Sequence, residues 1–481
     1  MSIRHGVYIQ EEATAVQVPK TGNSSVQVVV GTAPVNMAEN PSEAVNVPIL
    51  ANSGTEAMAA LGYSADFSNF TLCQTMYATS NLFQVSPVVY INVLDPAKHN
   101  KELAEAEYQV NQKQAVIEKE GVILEGLTVK NSTGDTELKA GEDYSAAFDS
   151  TTGFLTITML AGGKGAAATA IKVSGKVIDP SKVTKEDVIG AVDPSTGAET
   201  GAQVIRQVYP RLGIVPGLIL APGWSQIPEV GLAKAAKING VYSAMALLDL
   251  DTAKAKKYTD TKSVKEESGY TSPFCYPLWP CDRVGEYILA KSAVTGAMIQ
   301  YMASDNEDVP NQSPSNHLLG VGGQCLEDGT EVYLDQDQAN TVNGYGVTTA
   351  INQNGYRLWG NYTGAYPASS DAKDIWFAVR RMFSWQGNNF IQTYFDEVDD
   401  PMNNVLVQSV VDSENIRCSA YAPKYWAGAS IEYKSDDNPK TAILAGTMKF
   451  RQHIAPYTPA QEIVDIIDYD TDTLAAAVGG N

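Results

Sequence analysis

Ile214-Val215-Pro216-Gly217-Leu218-Ile219-Leu220-Ala221 and Val241-Tyr242-Ser243-Ala244-Met245-Ala246-Leu247-Leu248 are two nearly unbroken apolar runs, and the segment between them reads as a helix near 227–238. A run without polar alternation is the pattern of a strand covered on both faces. Two such strands joined through a helix pair in parallel, by a right-handed crossover. The unit sets the expectation of a mixed α/β (α+β) fold built on a parallel core sheet.

Further runs extend that sheet: Val26-Gln27-Val28-Val29-Val30-Gly31, and 85–94 with Val88-Val89-Tyr90-Ile91-Asn92-Val93-Leu94. Gly54 to Leu61 is expected to be helical, with Ser53 as its cap. Helices are also expected over 70–83, 286–303 and 402–413. A long one should begin near Asp371, where Ile375, Val379, Met382 and Gln386 fall on one stripe. Residues 304–370, rich in Gly, Asn and Tyr, read as loops and hairpins, and a strand is expected around 441–454.

The composition changes between these parts. Residues 101–119 are rich in Glu, Lys, Gln and Ala and lack Gly and Pro, which predicts a helix or helical linker. From Gly121 to Ser174 short alternating runs, such as Phe154-Leu155-Thr156-Ile157-Thr158, are separated by turn clusters, the mark of a β-rich insertion. The expected organisation is an N-terminal arm (1–20), a core split into 21–100 and 179–450, a helical linker plus inserted β-rich outer domain (101–178), and a C-terminal arm (451–481).

Among 481 residues, 55 acidic against 34 basic side chains give a formal net charge of -21. Such a surface repels phosphate backbones, so direct nucleic-acid binding is not expected. No run of 18 apolar residues occurs, and no membrane insertion is expected. The start, Met-Ser-Ile-Arg-His-Gly, lacks the apolar stretch of a signal peptide, and five scattered cysteines suit reduced thiols; folding in a cytoplasm is the expectation.

Catalytic chemistry finds little support. His5, His99, His317 and His453 stand far apart, and no Cys-x-x-Cys, phosphate-binding glycine loop or nucleophile elbow occurs. The strongest enzyme-like feature is Leu248-Asp249-Leu250-Asp251-Thr252, at the end of an expected parallel strand, where two carboxylates could hold Mg²⁺ in a phosphatase. The hydroxyl of Thr252 follows the second Asp directly instead of standing two residues on, and turn or cap residues are the plainer reading of Asp249 and Asp251. No enzyme activity, cofactor or metal site is expected. Glycan binding by 121–174 is a further alternative.

The two ends carry strand-forming residues outside the expected core: Gly6, Val7, Tyr8 and Ile9 at one, Ile463, Val464, Ile466 and Ile467 at the other. Lone strands require an edge to pair with, and a head-to-tail link through such arms extends as a helical array.

Several segments, in order, resemble the contractile phage tail sheath family. They are the Gly6-Val7-Tyr8-Ile9-Gln10-Glu11 start, Val28-Val29-Val30-Gly31, and Val215 to Ala221-Pro222-Gly223. Asn352-Gln353-Asn354-Gly355 with Trp359-Gly360, Asp374 to Phe383, and Pro459-Ala460-Gln461-Glu462-Ile463 complete the set. His5 stands where that family often has Pro. The resemblance implies a structural homo-oligomer of stacked hexameric rings around an inner tail tube protein, ending on baseplate and tail terminator proteins. It implies residence in a virion tail, assembled in a bacterial host's cytoplasm, or in a headless tailocin or injection apparatus. Contraction would draw on bistable packing between subunits, without hydrolysis.

Overall fold

A computed structural model describes residues 24–233, 237–238 and 242–479. Its centre is a six-stranded sheet of β1 (Gln27–Gly31), β2 (Pro48–Ala51), β3 (Val88–Asn92), β4 (Leu218–Leu220), β5 (Met245–Asp249) and β6 (Cys275–Leu278), in the order β6-β5-β4-β1-β3-β2. All neighbours pair in parallel except β2, an antiparallel edge against β3. The apolar runs of the sequence supply its centre, and every residue of β1, β3, β4 and β5 is buried. The fold is mixed α/β, as the sequence implies.

Helix α1 (Gly54–Leu61) starts where expected, its first turn closed by Glu56 N–H donating 3.1 Å to Ser53 Oγ. Helix α2 (Leu72–Tyr77) continues into a wider turn over Ala78–Leu82. Helix α3 (Lys291–Ser304) is buried on nearly all sides, which is why it shows no amphipathic stripe.

The stretch 100–178 leaves the core after β3 and carries its own interior. Asn100–Gln109, Ala170–Ile178, Val122–Asn131 and Glu137–Leu138 form one antiparallel sheet; Gln114–Ile117, Leu155–Met159 and Tyr144–Phe148 form another. Ile117, Val129, Tyr144, Ile157 and Val173 pack between them. Asn100 pairs with Ile178, so the chain enters and leaves side by side.

Several expectations need correction. Residues 101–119 are strands, not a helix: Asn100–Gln109 pairs along its length with Ala170–Ile178, and only Leu103 of that strand is buried. Its Glu, Lys and Gln side chains face outward, and a cross-strand ladder outweighs helix propensities of a few tenths of a kcal/mol per residue. The helix expected over 286–303 begins at Lys291, because Tyr287–Leu289 is taken by a strand pairing with Cys281–Val284. The helix near 227–238 spans Pro228–Ala233, and Lys237–Ile238 pairs with Tyr242–Ser243 instead. The stretch 304–370 contains a helix at Gln336–Gly344, closed by an Asp335–Gln338 capping box. The strand expected over 441–454 is a short helix, Lys440–Leu444, followed by a strand from Arg451.

The last third forms a unit of two antiparallel strands and two helices: α4 (Phe377–Tyr394), α5 (Asn404–Tyr421), β7 (Trp426–Glu432) and β8 (Arg451–Pro456). Met382, Trp385, Cys418, Tyr425 and Trp426 make its core. A short helix, α6 (Thr471–Ala477), ends the chain. Among the described residues no helix is long and apolar enough to cross a membrane.

Candidate assembly surface

The crevice beyond the carboxyl ends of β1 and β4 is where open α/β sheets usually bind ligands. Here Thr71 fills it: its Oγ1 accepts from Thr32 N–H at 3.2 Å, and a Cβ added at Gly31 would lie 2.3 Å from that oxygen.

Asp249 and Asp251, the enzyme-like pair, do not form a joint site. Asp249 is buried at the end of β5, where it caps α3. Ser292 N–H donates 2.8 Å to its Oδ1, and both Ser292 Oγ and Ser225 Oγ donate to its Oδ2. Burial pushes the Asp249 carboxyl up, against the pull of those hydrogen bonds. Asp251 turns outward and accepts from Ala253 N–H at 2.9 Å in the following turn. Among the described residues no group of three or more His, Cys, Asp or Glu is arranged for a metal. Asp249→Asn should lower stability by about 1–3 kcal/mol, since the amide nitrogen would face donors; urea unfolding measures it.

The informative geometry lies where the two ends leave the body. At the first described residue, Ser24 is held from two sides. Its N–H donates 2.8 Å to Asp308 Oδ2, its Oγ donates 2.7 Å to Asp308 O, and its carbonyl accepts from Arg381 Nη2 at 2.9 Å. Arg381, buried on α4, also donates to Ser25 Oγ at 3.1 Å. Burial lowers the Arg381 guanidinium to about 10, with Asp308 acting against the shift, so it stays charged at neutral pH. Gly217, just before β4, passes so close that a Cβ there would lie 1.7 Å from Ser24 O. Backbone and side chains together hold Ser24 against the core. Gly6, Val7, Tyr8 and Ile9 lie outside the described residues.

The C-terminal segment departs from β8, and β8 is fastened by a buried polar network. Glu414 on α5 pairs with Arg417 one turn on; Gln386 of α4 donates 2.6 Å to Glu414 Oε1, and Gln452 of β8 donates 2.9 Å to the same oxygen. Arg417 also donates to Gln386 Oε1, and its guanidinium lies 5.7 Å from the ring of Trp385. Burial alone would raise the Glu414 carboxyl, but Arg417, Gln386 and Gln452 outweigh it and hold it below the usual range. Helix α4 thus carries one residue of each anchor, Arg381 and Gln386.

Strands β7 and β8 pair only with each other among the described strands. On β7 the Asn415 side chain of α5 accepts from Ile431 N–H and donates to Ile431 O, both at 3.0 Å, which leaves the outer edge of β8 as the open one. Beyond Pro456 the chain has little hold on the body. Tyr457 donates 2.9 Å to Pro423 O, and Gln461 bonds to Asn361 Nδ2 and Tyr362 OH at 3.2 and 3.0 Å. Gln461 lies over a polar groove of about 720 Å³ that is lined by Asn340, Trp359 and Tyr366. Every residue from Gln461 to Gly479 is exposed. Ile463, Ile466 and Ile467 are each 88% exposed and Val464 67%. Four large aliphatic side chains in water on one short extended stretch lack what each gains on burial, about 1.5–3 kcal/mol.

Pattern reading reached Ile463, Val464, Ile466 and Ile467 because they are a local apolar run. It missed Asp308, Arg381, Glu414, Arg417 and Gln452, whose partners are distant in sequence. The Glu414–Arg417 spacing on one helix face was the only local hint.

No protein-family model matches the chain. It is similar end to end to the tail sheath protein of Burkholderia phage BcepMu, at 26% identity over 99% of both chains. It is 22% identical to the tail sheath protein of Escherichia phage P2, over 58% of this chain and 69% of that one. Among solved structures it resembles the contracted helical sheath of the anti-feeding prophage, with TM-score 0.58 at 14% identity, covering 97% of this chain and 99% of that one. It likewise resembles the contracted sheath complex of the extracellular contractile injection system PVC, with TM-score 0.57 at 12% identity, covering 98% and 99%.

Proposed function

We propose that this chain, a homologue of the tail sheath proteins of contractile-tailed phages, is a subunit that polymerises around an inner tail tube and contracts to drive that tube through a target envelope. The observation that carries the reading is the end-to-end likeness to a tail sheath protein, which takes in the core, the insertion and the C-terminal segment alike. The relatives are structural proteins, and the chain is not an enzyme. Stacked sixfold rings, with a baseplate below and a terminator above, are the assembly proposed. The setting is a virion tail or a headless phage-like injection apparatus built in a bacterial cytoplasm.

Residues 1–20 and the part of 451–481 beyond Pro456 serve as arms, since Arg451–Pro456 is strand β8 of the body; the core and the 101–178 insertion lie between them. The outer edge of β8 is the acceptor: a strand from a neighbour adds main-chain hydrogen bonds there and hides the exposed isoleucines. The anchors at Ser24 and Gln452 suit this task, because an arm that transmits a pull needs a root that does not slide. Bistable packing between subunits would power the contraction.

Negative-stain microscopy of the purified protein tests the proposal. Tubes or rings of about sixfold symmetry are expected, in keeping with closed or helical head-to-tail assembly. A protein that stays monomeric at high concentration, with and without a tube template, would count against it.

A further inference from the structure

We propose that Lys291 and Asp282 condense into an isopeptide bond, a covalent staple between a core helix and the hairpin beside it. Asp282 lies on the strand Cys281–Val284, the middle one of a three-stranded sheet, opposite Leu289 on one side and Gln324 on the other. Lys291 opens α3 directly after that hairpin and Ala290. Its Nζ donates to Asp282 Oδ1, and both side chains are 0% exposed. The other carboxylate oxygen, Asp282 Oδ2, is buried without a hydrogen-bond partner.

Other buried carboxylates of the chain are handled differently. Glu414 faces Arg417, whose guanidinium is no nucleophile, and Gln386 and Gln452 complete its hydrogen bonds. Asp249 lies close enough to feel the charge of Lys291, but Ser292 and Ser225 occupy its oxygens. The side-chain hydrogen bonding of Lys291 and Asp282 is confined to each other.

A dry interior is where an isolated ion pair is most costly and where losing both charges is most favourable. Burial pushes the Asp282 carboxyl up, against the pull of Lys291. A proton passed from Nζ to the carboxyl leaves a neutral amine beside a neutral acid, and a desolvated lysine amine is a nucleophile. Its lone pair attacks Cγ, the C–N bond forms, and one C–O bond breaks. The departing oxygen takes two of the ammonium protons and leaves as water, while the last proton stays on the amide nitrogen. Asp282 Oδ2, held by nothing, is the oxygen free to go. No oxidant or other co-reactant is required.

The link closes the chain from 282 to 291 and ties the hairpin to the first turn of α3. Helix α3 in turn lies against the central sheet. A Cβ added at Gly296 would stand 2.5 Å from Gln27 Oε1 and 2.7 Å from a methyl carbon of Leu220. The staple therefore fastens the small sheet to the helix that backs the large one.

Mass spectrometry of the full-length wild-type protein tests the inference. The folded chain should weigh one water less than its sequence. Lys291 held in an amide resists trypsin, so digestion should deliver 266–283 joined to 284–357, whereas an unlinked chain releases 284–291 as a free peptide. D282A and K291R, the second keeping the positive charge without the amine, should both retain the full mass. The wild-type measurement decides by itself, even where a variant fails to fold. A wild-type chain of full mass that releases 284–291 overturns the inference, and so does a water lost equally from either variant.

Discussion

Ending the chain at Pro456 is expected to leave a folded, soluble protein that no longer forms tubes. The deletion keeps β8 and its network to Glu414, so the C-terminal unit retains its core. What it removes is exposed from Gln461 onward, and the hydrogen bonds lost are those of Tyr457 and Gln461 at the surface. Surface changes of this kind usually fall within about 0.5 kcal/mol, so the unfolding curve should superimpose on that of the full chain. Assembly should respond quite differently. Burying Ile463, Val464, Ile466 and Ile467 against a neighbour is worth roughly 6–12 kcal/mol in gross transfer terms, less the ordering of the segment at about 1–2 kcal/mol per residue. Repeated over every contact in a lattice, that is the difference between polymer and monomer. Sedimentation velocity and microscopy on the two proteins decide the matter, and normal tubes from the shortened chain would sink the arm hypothesis.

The second large effect is expected inside the fold. Replacing Glu414 by glutamine leaves Arg417 buried without its counter-charge, which typically costs about 3–5 kcal/mol. Trp385 and Trp426 sit in the same unit, so its unfolding in denaturant can be followed by their fluorescence. A double change, Glu414→Leu with Arg417→Met, should recover much of the loss, because removing both charges also removes their desolvation. The pH dependence follows from the lowered carboxyl. With the folded pKa below its ordinary value of 4.5, the stabilisation is present above that pH and is lost as pH falls through the folded pKa. The wild-type unit should therefore weaken in acid, and the Glu414→Gln variant should show a flatter profile. Because Gln452 binds the same carboxylate from β8, the variant should also assemble poorly at a temperature where it is still folded. A Glu414→Gln chain as stable as wild type would show that the pair does not fasten the strand.

Much of the architecture was legible in short windows of sequence. The runs at 27–31, 88–92 and 245–249 are apolar without alternation, and each is a fully buried strand of the central sheet. Ser53 could be assigned as a cap because capping needs only a hydroxyl before a helical stretch, and it accepts from Glu56 as expected. Of the stripe Ile375, Val379, Met382 and Gln386, the last three are buried along α4, a period set by helix geometry, whereas Ile375 is half-buried in a separate short helix, Ala372–Ile375, because the chain is extended at Trp376. Residues 100–109 were misread because their composition favours a helix while their partner, 170–178, lies beyond any window that local propensity can weigh.

The candidate site divides along the same line. Local pattern sufficed for the exposed apolar segment at 463–467 and for the absence of a recognisable catalytic motif. The anchors could not be read that way. Ser24 meets Asp308 across 284 positions and Arg381 across 357, and Gln452 reaches Glu414 across 38. An apolar period is a property of neighbouring residues, so it survives in the bare sequence. The partner of a buried charge is settled only when distant segments pack and water is excluded, and that is why the contacts of Ser24 and Gln452 emerged from the folded chain.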